Sequence, residues 1–231
     1  MPALPESIFD IGYLIFAIVS GILLVSSKGR RGVRLMGVAA LILGCGDAFH
    51  LIPRVFAYWI PEDFTRALGI GKLVTSITMT VFYVLLEYIR TNRFGAKKDG
   101  IQTSTKIIWV LAAIRIALCL FPQNEWTEAD APVSWGIYRN IPFLVIGIMT
   151  VVLWYKDAKG DARFRFMALA VALSFAFYLP VVVLAHSIPI MGMLMLPKTV
   201  MYIWILCMFL QVRKKEYLCY NDDDKDQQLY G

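Results

Sequence analysis

The chain has 231 residues, of which 58% are hydrophobic and only 17% are charged, and its mean hydropathy is +0.62. Soluble domains average roughly 45–50% apolar residues and about a quarter charged residues, so this composition excludes an ordinary soluble domain. The net charge of +6 does not indicate a nucleic-acid partner, because the basic residues lie in short loops between apolar runs. The four cysteines lack zinc-site or CxxC spacing, and we expect no metal and no cofactor.

Apolar runs of about 20 residues, the length that spans a bilayer, occupy nearly the whole chain. They predict an all-α, polytopic membrane protein, a bundle of seven transmembrane helices within residues 1–215. No signal peptide is recognisable before the first run, which we expect to stay as a helix. Residues 216–231 are predicted to be a short, acidic, disordered tail. The predicted helices are residues 8–26, 33–51, 65–88, 107–121, 134–155, 166–185 and 190–212.

The first three helices differ in polar content. Helix 1 is almost wholly apolar and is predicted to pack against lipid. Helix 2 contains Asp47 and His50 on one face, and we expect Pro53 to bend or end it. Helix 3 begins with a hydroxyl-rich half that carries Lys72, and its second half is predicted to be apolar. The polar residues of the later helices are Arg115 in helix 4, Arg139 in helix 5, Ser174 and Tyr178 in helix 6, and Lys198 and Tyr202 in helix 7.

The basic residues alternate between the loops in a regular way. Most of the 23 Lys and Arg residues lie in the loops after helices 1, 3 and 5 and in the C-terminal tail. Cytoplasmic loops are rich in Lys and Arg, so we expect the N-terminus outside and the C-terminus inside. We expect a bacterial cytoplasmic membrane, with membrane lipids as partners.

Counting along each helix at about 1.5 Å per residue places the polar side chains of helices 2 to 7 in the outer half of the membrane. Ionisable residues at such depths are costly and indicate a functional site. One carboxylate against four basic residues would make a cationic cavity, which favours binding of a small anionic molecule or a lipid headgroup. The predicted ligand-binding residues are Asp47, His50, Lys72, Arg115, Arg139, Tyr178, Lys198 and Tyr202.

Simpler explanations stand beside this one. Asp47 is equally consistent with a structural ion pair. The ring of His50 suits the outer interface of the membrane. The long side chains of Lys72 and Arg139 can reach the membrane surface. The hydroxyl groups of helix 3 can bond to carbonyl groups of their own helix, as Ser and Thr usually do in membrane helices.

The stretch Gly44-Cys-Gly-Asp-Ala-Phe-His-Leu-Ile-Pro-Arg54 resembles the Gly-Asp helix of the YhhN-type lysoplasmalogenase family. Members are small polytopic membrane proteins, and the characterised ones hydrolyse the vinyl-ether bond of lysoplasmalogens. Residues 67–69 and 142–149 are similar to two further family helices. The chain departs from the family pattern where Thr75 or Ser76 replaces a histidine, and the family is usually drawn with eight helices. The resemblance implies a hydrolase, for which Asp47 would be the general base and His50 the acid or orienting residue.

Four functional classes are therefore open. The first is binding or transport of a small anion or lipid headgroup, and the second is hydrolysis of an ether lipid. The third is a seven-helix receptor or light sensor, with Lys198 as a Schiff-base site and Asp47 as its counter-ion. The fourth is a structural or assembly protein without a ligand, because a fold alone does not define a function.

Overall fold

The computed structural model describes residues 3–27, 31–95, 102–128, 131–185 and 187–229, with side chains as far as Lys214. Within those ranges the chain forms seven α-helices and no strand, and each of the seven is long and apolar enough to cross a membrane. The predicted all-α seven-helix bundle is thus confirmed, and the chain is an integral membrane protein. The helices are α1 Ala3–Val25, α2 Arg31–Trp59, α3 Thr65–Phe94, α4 Thr103–Leu120, α5 Val133–Asp157, α6 Met167–Leu184 and α7 Met195–Leu229.

Helix α2 is longer than the sequence suggested, because Pro53 lies inside it and does not end it. The two turns beyond Pro53 are held by the first turns of α1. The Tyr58 hydroxyl donates to Glu6 Oε2 (2.9 Å), and the Trp59 indole donates to the Ser7 hydroxyl (3.2 Å). These bonds compensate for the backbone hydrogen bond that proline removes.

Two other helices also extend beyond their predicted ends. Helix α3 continues to Phe94 and includes Arg90 and Arg93. Both residues lie beyond residue 88, where the sequence predicts the end of this helix. Helix α7 follows a 3₁₀ turn at Pro189–Leu194, and its backbone is helical to Leu229. That range includes most of the tail for which the composition predicts disorder.

Each helix packs antiparallel to the next along the chain, and α7 packs against α1. Helix α3 also contacts α5, and α2 contacts α7. The pair α2 and α3 is unusually close because two glycines lie at their interface: a Cβ at Gly46 would overlap the Thr78 side chain, and one at Gly71 would overlap the backbone of Phe49. The Thr75 hydroxyl consequently reaches the Gly46 carbonyl oxygen (3.0 Å).

An aromatic layer crosses the middle of the bundle. Tyr83 makes edge contacts with Phe143 (5.2 Å between ring centroids) and Phe175 (5.4 Å), and Phe82 does the same with Tyr202 (5.9 Å). This layer separates two polar regions. We call the end of the bundle at which α1, α3, α5 and α7 begin the site end, and the other the far end.

The far end contains a buried ion network that the sequence reading missed. Glu87 is fully buried in the half of helix 3 that was predicted to be apolar, so that prediction is wrong, and Arg90 is buried beside it in the extension of α3 beyond residue 88. Arg90 Nε and Nη2 each donate to the Glu87 carboxylate at 2.7 Å, and Arg90 also pairs with Asp157. The Thr105 hydroxyl donates to Glu87 Oε1 (2.7 Å). The network therefore joins α3, α4 and α5.

A second ion pair joins Arg93, in the last turn of α3, to Asp161, which lies just outside the membrane-spanning helices. Burial alone would raise the pKa of the Asp161 carboxyl. The backbone N–H of Arg163 and the guanidinium of Arg93 both donate hydrogen bonds to the Asp161 carboxylate. These hydrogen bonds and the positive charges of the two arginines hold the pKa of Asp161 below its usual range. Asp161 is thus ionised at neutral pH.

Candidate functional site

Helix α1 contributes polar groups to the site end, contrary to the expectation that it only packs against lipid. Glu6, Asp10 and Tyr13 are spaced four and three residues apart, so they share one face, and all three are buried. The opposite face exposes apolar residues such as Ile8 and Ile15. Only the apolar face fits the prediction of lipid contact, because the polar face packs against α2 and α7.

Helix α2 presents Asp47, His50 and Arg54 to the same region. Asp47 Oδ2 accepts a hydrogen bond from the Tyr13 hydroxyl (2.6 Å), and Arg54 forms an ion pair with Glu6. The positive charge of Arg54 is therefore compensated. His50 is half-buried, and its Nδ1 atom is enclosed without a hydrogen-bond partner among the described residues.

A cavity of about 380 Å³ lies at the site end, and we call it the larger cavity. Its charged lining residues are all basic, and no carboxylate belongs to the described part of its wall. Apolar side chains of α6 and α7, among them Val181, Val182 and Met195, form another part of the wall. The basic residues and the histidine that line it are His50, Arg54, Lys72, Arg115, Arg139 and Lys198.

Arg115 is the most unusual residue of the larger cavity. Only 2% of it is exposed, and its guanidinium carbon lies 3.3 Å from the centre of the Phe143 ring. Its Nε and Nη1 atoms are buried and have no hydrogen-bond partner among the described residues, and no described carboxylate pairs with it. Leaving two guanidinium donors unsatisfied in a membrane protein is energetically costly.

The other basic residues differ in how they are held. Arg139 donates through Nη1 to Asn124 Oδ1 (2.8 Å), and its guanidinium carbon lies 4.1 Å from the Trp126 ring centre. Lys198 is 5% exposed, and its Nζ lies 4.1 Å from the centre of the Tyr178 ring. Neither forms an ion pair within the described part of the chain.

Lys72 lies where the larger cavity meets the surface. Lys72 is an exposed residue that also forms part of the cavity wall. We gave a simpler explanation for Lys72 and Arg139, that their side chains reach the membrane surface. It is compatible with a cavity that opens at the surface and that these two residues line. Two of the helix-3 hydroxyls, those of Ser76 and Thr80, bond to carbonyl oxygens of their own helix, at 2.7 Å in both cases.

A second space of about 50 Å³ adjoins the larger cavity, and we call it the smaller pocket. Asp10, Asp47, Thr199 and Tyr202 belong to it alone, whereas the two spaces share part of their walls. The structure thus brings the eight predicted residues together around two adjoining spaces. The shared lining residues are His50, Arg54, Thr75, Met79, Met195 and Lys198.

The charge balance differs from the one we expected. Asp47 is joined by two more carboxylates, Glu6 and Asp10, which the sequence reading overlooked together with Arg54. The signal was present, because the spacing of Glu6, Asp10 and Tyr13 places three polar side chains on one face of an otherwise apolar helix. The lining of the two spaces remains cationic overall, and its positive charge is concentrated in the larger cavity.

Comparison of the chain with protein-family models, with curated proteins and with solved structures finds no match. The resemblance to the YhhN-type family therefore stays a prediction. Among the described residues, no group of three or more His, Cys, Asp or Glu side chains is arranged to hold a metal ion. The function is accordingly argued from the geometry and charge of the site.

Proposed function

We propose that this membrane protein binds a small anionic molecule, or the anionic headgroup of a lipid, in the larger cavity. The observation that carries the proposal is Arg115, a buried arginine in a cavity wall without carboxylates, whose Nε and Nη1 atoms have no hydrogen-bond partner among the described residues. A buried cation without a partner costs several kcal/mol, roughly, and an anionic ligand would offset that cost. A guanidinium also presents paired donors that match phosphate or carboxylate oxygens.

The surroundings of Arg115 support an anion rather than a neutral ligand. Arg139 and Lys198 bring two further positive charges, and neither has a carboxylate partner in the described wall. Lys72 adds a positive charge near the opening, which would attract anions from outside. A volume of about 380 Å³ lies within the range of small-molecule sites.

The apolar side of the cavity supports a ligand with a nonpolar part next to its anionic group. Val181, Val182 and Met195 lie on the wall formed by α6 and α7. Beyond the cavity, α6 and the turn before α7 expose Val183, Leu184 and Ile190. Since this surface is apolar and the cavity is cationic, a phospholipid with its headgroup inside fits as well as a free metabolite.

The aromatic layer favours binding over transport. Tyr83, Phe143 and Phe175 pack against one another in the middle of the bundle, between the larger cavity and the far end. A transporter requires a conformation that opens to the other side of the membrane. The contacts of these rings oppose such an opening, so binding is the activity that we propose.

A calorimetric titration tests this proposal. The full-length protein in lipid nanodiscs would be titrated with glycerol 3-phosphate and, separately, with dihexanoyl phosphatidic acid, which distinguish a free anion from a lipid headgroup. We expect at least one to bind and Arg115→Met to weaken binding at least tenfold, since hydrogen bonds to charged groups contribute about 1.5–3 kcal/mol each. The control is Arg66→Gln, because Arg66 is exposed and lines neither space. Absence of binding to wild type, or unchanged binding to Arg115→Met, would overturn the proposal.

Hydrolysis of a lysoplasmalogen is a second candidate, favoured by one observation. Asp47 and His50 both line the smaller pocket, directly beside a cationic cavity suited to a lipid phosphate. An acid and a base near one point are the minimum for such chemistry. Incubating the purified protein with a lysoplasmalogen and measuring fatty aldehyde would decide: aldehyde release that is lost in Asp47→Asn supports a hydrolase, and no release leaves binding as the function.

A further inference from the structure

The smaller pocket differs from the larger cavity because carboxylates line it. Its two carboxylates, Asp10 and Asp47, face two basic residues, Arg54 and Lys198. Arg54 is also paired with Glu6, so two basic residues balance three carboxylates. The pocket therefore has room for one more positive charge.

Asp10 shows where that charge would lie. The residue is only 4% exposed, it lines the smaller pocket, and its Oδ2 atom has no hydrogen-bond partner among the described residues. Asp47, by contrast, has a donor in the Tyr13 hydroxyl. A buried carboxylate oxygen without a donor is as costly as the unpaired donors of Arg115, and a hydrogen-bonding cation would remove that cost.

We propose that the ligand is a zwitterion, with its anionic group at Arg115 in the larger cavity and a primary ammonium group in the smaller pocket between Asp10 and Asp47. This inference rests on the proposed binding function and names the ligand's chemical class. The two spaces share part of their walls and so lie next to each other, which is the distance that a single short zwitterion spans. The free compound and the headgroup of a lipid are two sources of the same chemistry.

The size and composition of the pocket select a primary over a quaternary ammonium. A space of about 50 Å³ holds roughly one or two water-sized groups. Quaternary ammonium groups are bound by cages of several aromatic rings. The described wall of the pocket contains two aromatic rings, those of Tyr202 and His50, which is fewer than such a cage, and its other polar groups, including the Thr199 hydroxyl, suit N–H donors.

Lys198 lies between the two charge centres of the site. It lines both spaces and stacks on the Tyr178 ring, which belongs to the larger cavity. Its Nζ lies 4.1 Å from the Tyr178 ring centre and 5.7 Å from that of Tyr202, which lines the smaller pocket, and its charge acts on Asp47. This arrangement leaves Asp10 to receive the ligand's own ammonium group.

The test uses ligands that differ only in the ammonium group. Ethyl phosphate, phosphoethanolamine and phosphocholine would each be titrated into the full-length protein in nanodiscs, and dihexanoyl phosphatidylethanolamine would be compared with phosphoethanolamine. We expect phosphoethanolamine to bind roughly tenfold tighter than ethyl phosphate, because the ammonium gains a charge-assisted hydrogen bond. We expect phosphocholine to bind more weakly than phosphoethanolamine. Tighter binding of the lipid or of the free compound would each support the proposal and would identify the source of the headgroup.

The variant Asp10→Asn should abolish the preference for phosphoethanolamine while ethyl phosphate still binds at least as tightly as to wild type. Asp63→Asn is the matched control, since Asp63 is an exposed carboxylate at the same end of the bundle. Equal affinities for ethyl phosphate and phosphoethanolamine in wild type would overturn this inference alone, as would a preference that survives in Asp10→Asn. A wild-type affinity for ethyl phosphate that depends on added sodium would also overturn it, because the pocket would then hold an inorganic cation. Failure of every ligand to bind wild type would instead refute the binding function itself.

Discussion

Replacing Arg115 by methionine should stabilise the unliganded protein while it removes ligand binding. Arg115 lies inside the bundle with two donor atoms that have no hydrogen-bond partner among the described residues, and its charge makes favourable contacts with the Phe143 ring and Cys119. Methionine has a similar length and no donor, so the variant loses a costly group without leaving a large cavity. A residue that destabilises the empty protein is expected where a ligand supplies the missing partner.

The size of the effect follows from those contacts. Each buried donor without a hydrogen bond costs about 1–3 kcal/mol. The cation–π contact with Phe143 offsets about 2 kcal/mol of that cost when it is desolvated. For two such donors the difference is about 0–4 kcal/mol, so we expect Arg115→Met to increase the free energy of unfolding by up to about 4 kcal/mol, as is seen when buried ions are replaced by apolar residues.

Unfolding of the purified protein, followed by tryptophan fluorescence during heating and SDS titration, measures this difference. The same experiment with an anionic ligand at about 100 times its wild-type dissociation constant should stabilise wild type by about 2.7 kcal/mol and Arg115→Met by about 1.4 kcal/mol or less, since the variant binds at least tenfold more weakly. If Arg115→Met instead loses 3 kcal/mol or more, Arg115 has a structural partner in the folded protein and our reasoning about its unpaired donors is wrong.

Three further predictions concern packing and topology. Arg90→Met should lower the free energy of unfolding by about 3–5 kcal/mol, because it leaves Glu87 buried and charged, and a change below 1 kcal/mol in the same unfolding assay would contradict this. Gly46→Val should lower the free energy of unfolding by about 1–3 kcal/mol, because it forces α2 and α3 apart. Gly12→Ala should have little effect, because a Cβ at Gly12 meets no other atom. Equal melting temperatures for the two variants would refute the close-packing argument. Cysteines introduced at residues 92–100 in a cysteine-free background should be labelled only from the inner side of the membrane, and labelling from outside would reverse the predicted orientation.

The fold was predictable because the bilayer imposes a length and a polarity on each helix. Seven runs in the sequence correspond to the seven membrane-spanning helices in the described residues. The ends of the helices were less predictable, because interactions outside the apolar run decide them. Helix α2 passes through Pro53 because Tyr58 and Trp59 bind to α1, and α3 includes Arg90 because Glu87 neutralises it.

The site was predictable where one charged residue interrupts an apolar run. Asp47, Arg115 and Lys198 stand out in this way, and the structure places all three at the walls of the two adjoining spaces. Glu6 and Asp10 were missed because they lie near the chain terminus, where polar residues are common at a membrane surface. Their spacing with Tyr13 marks a polar face of α1, but it does not show that Arg54 of α2 is the partner of Glu6.

The most direct test of the central claim is to locate an oxyanion in the protein. Crystals of the wild-type protein soaked in tungstate would show the anion by its anomalous scattering. We predict the strongest peak in the larger cavity, within hydrogen-bonding distance of the Arg115 guanidinium. Peaks confined to exposed basic residues such as Arg31 and Arg34, with none in the larger cavity, would contradict the account.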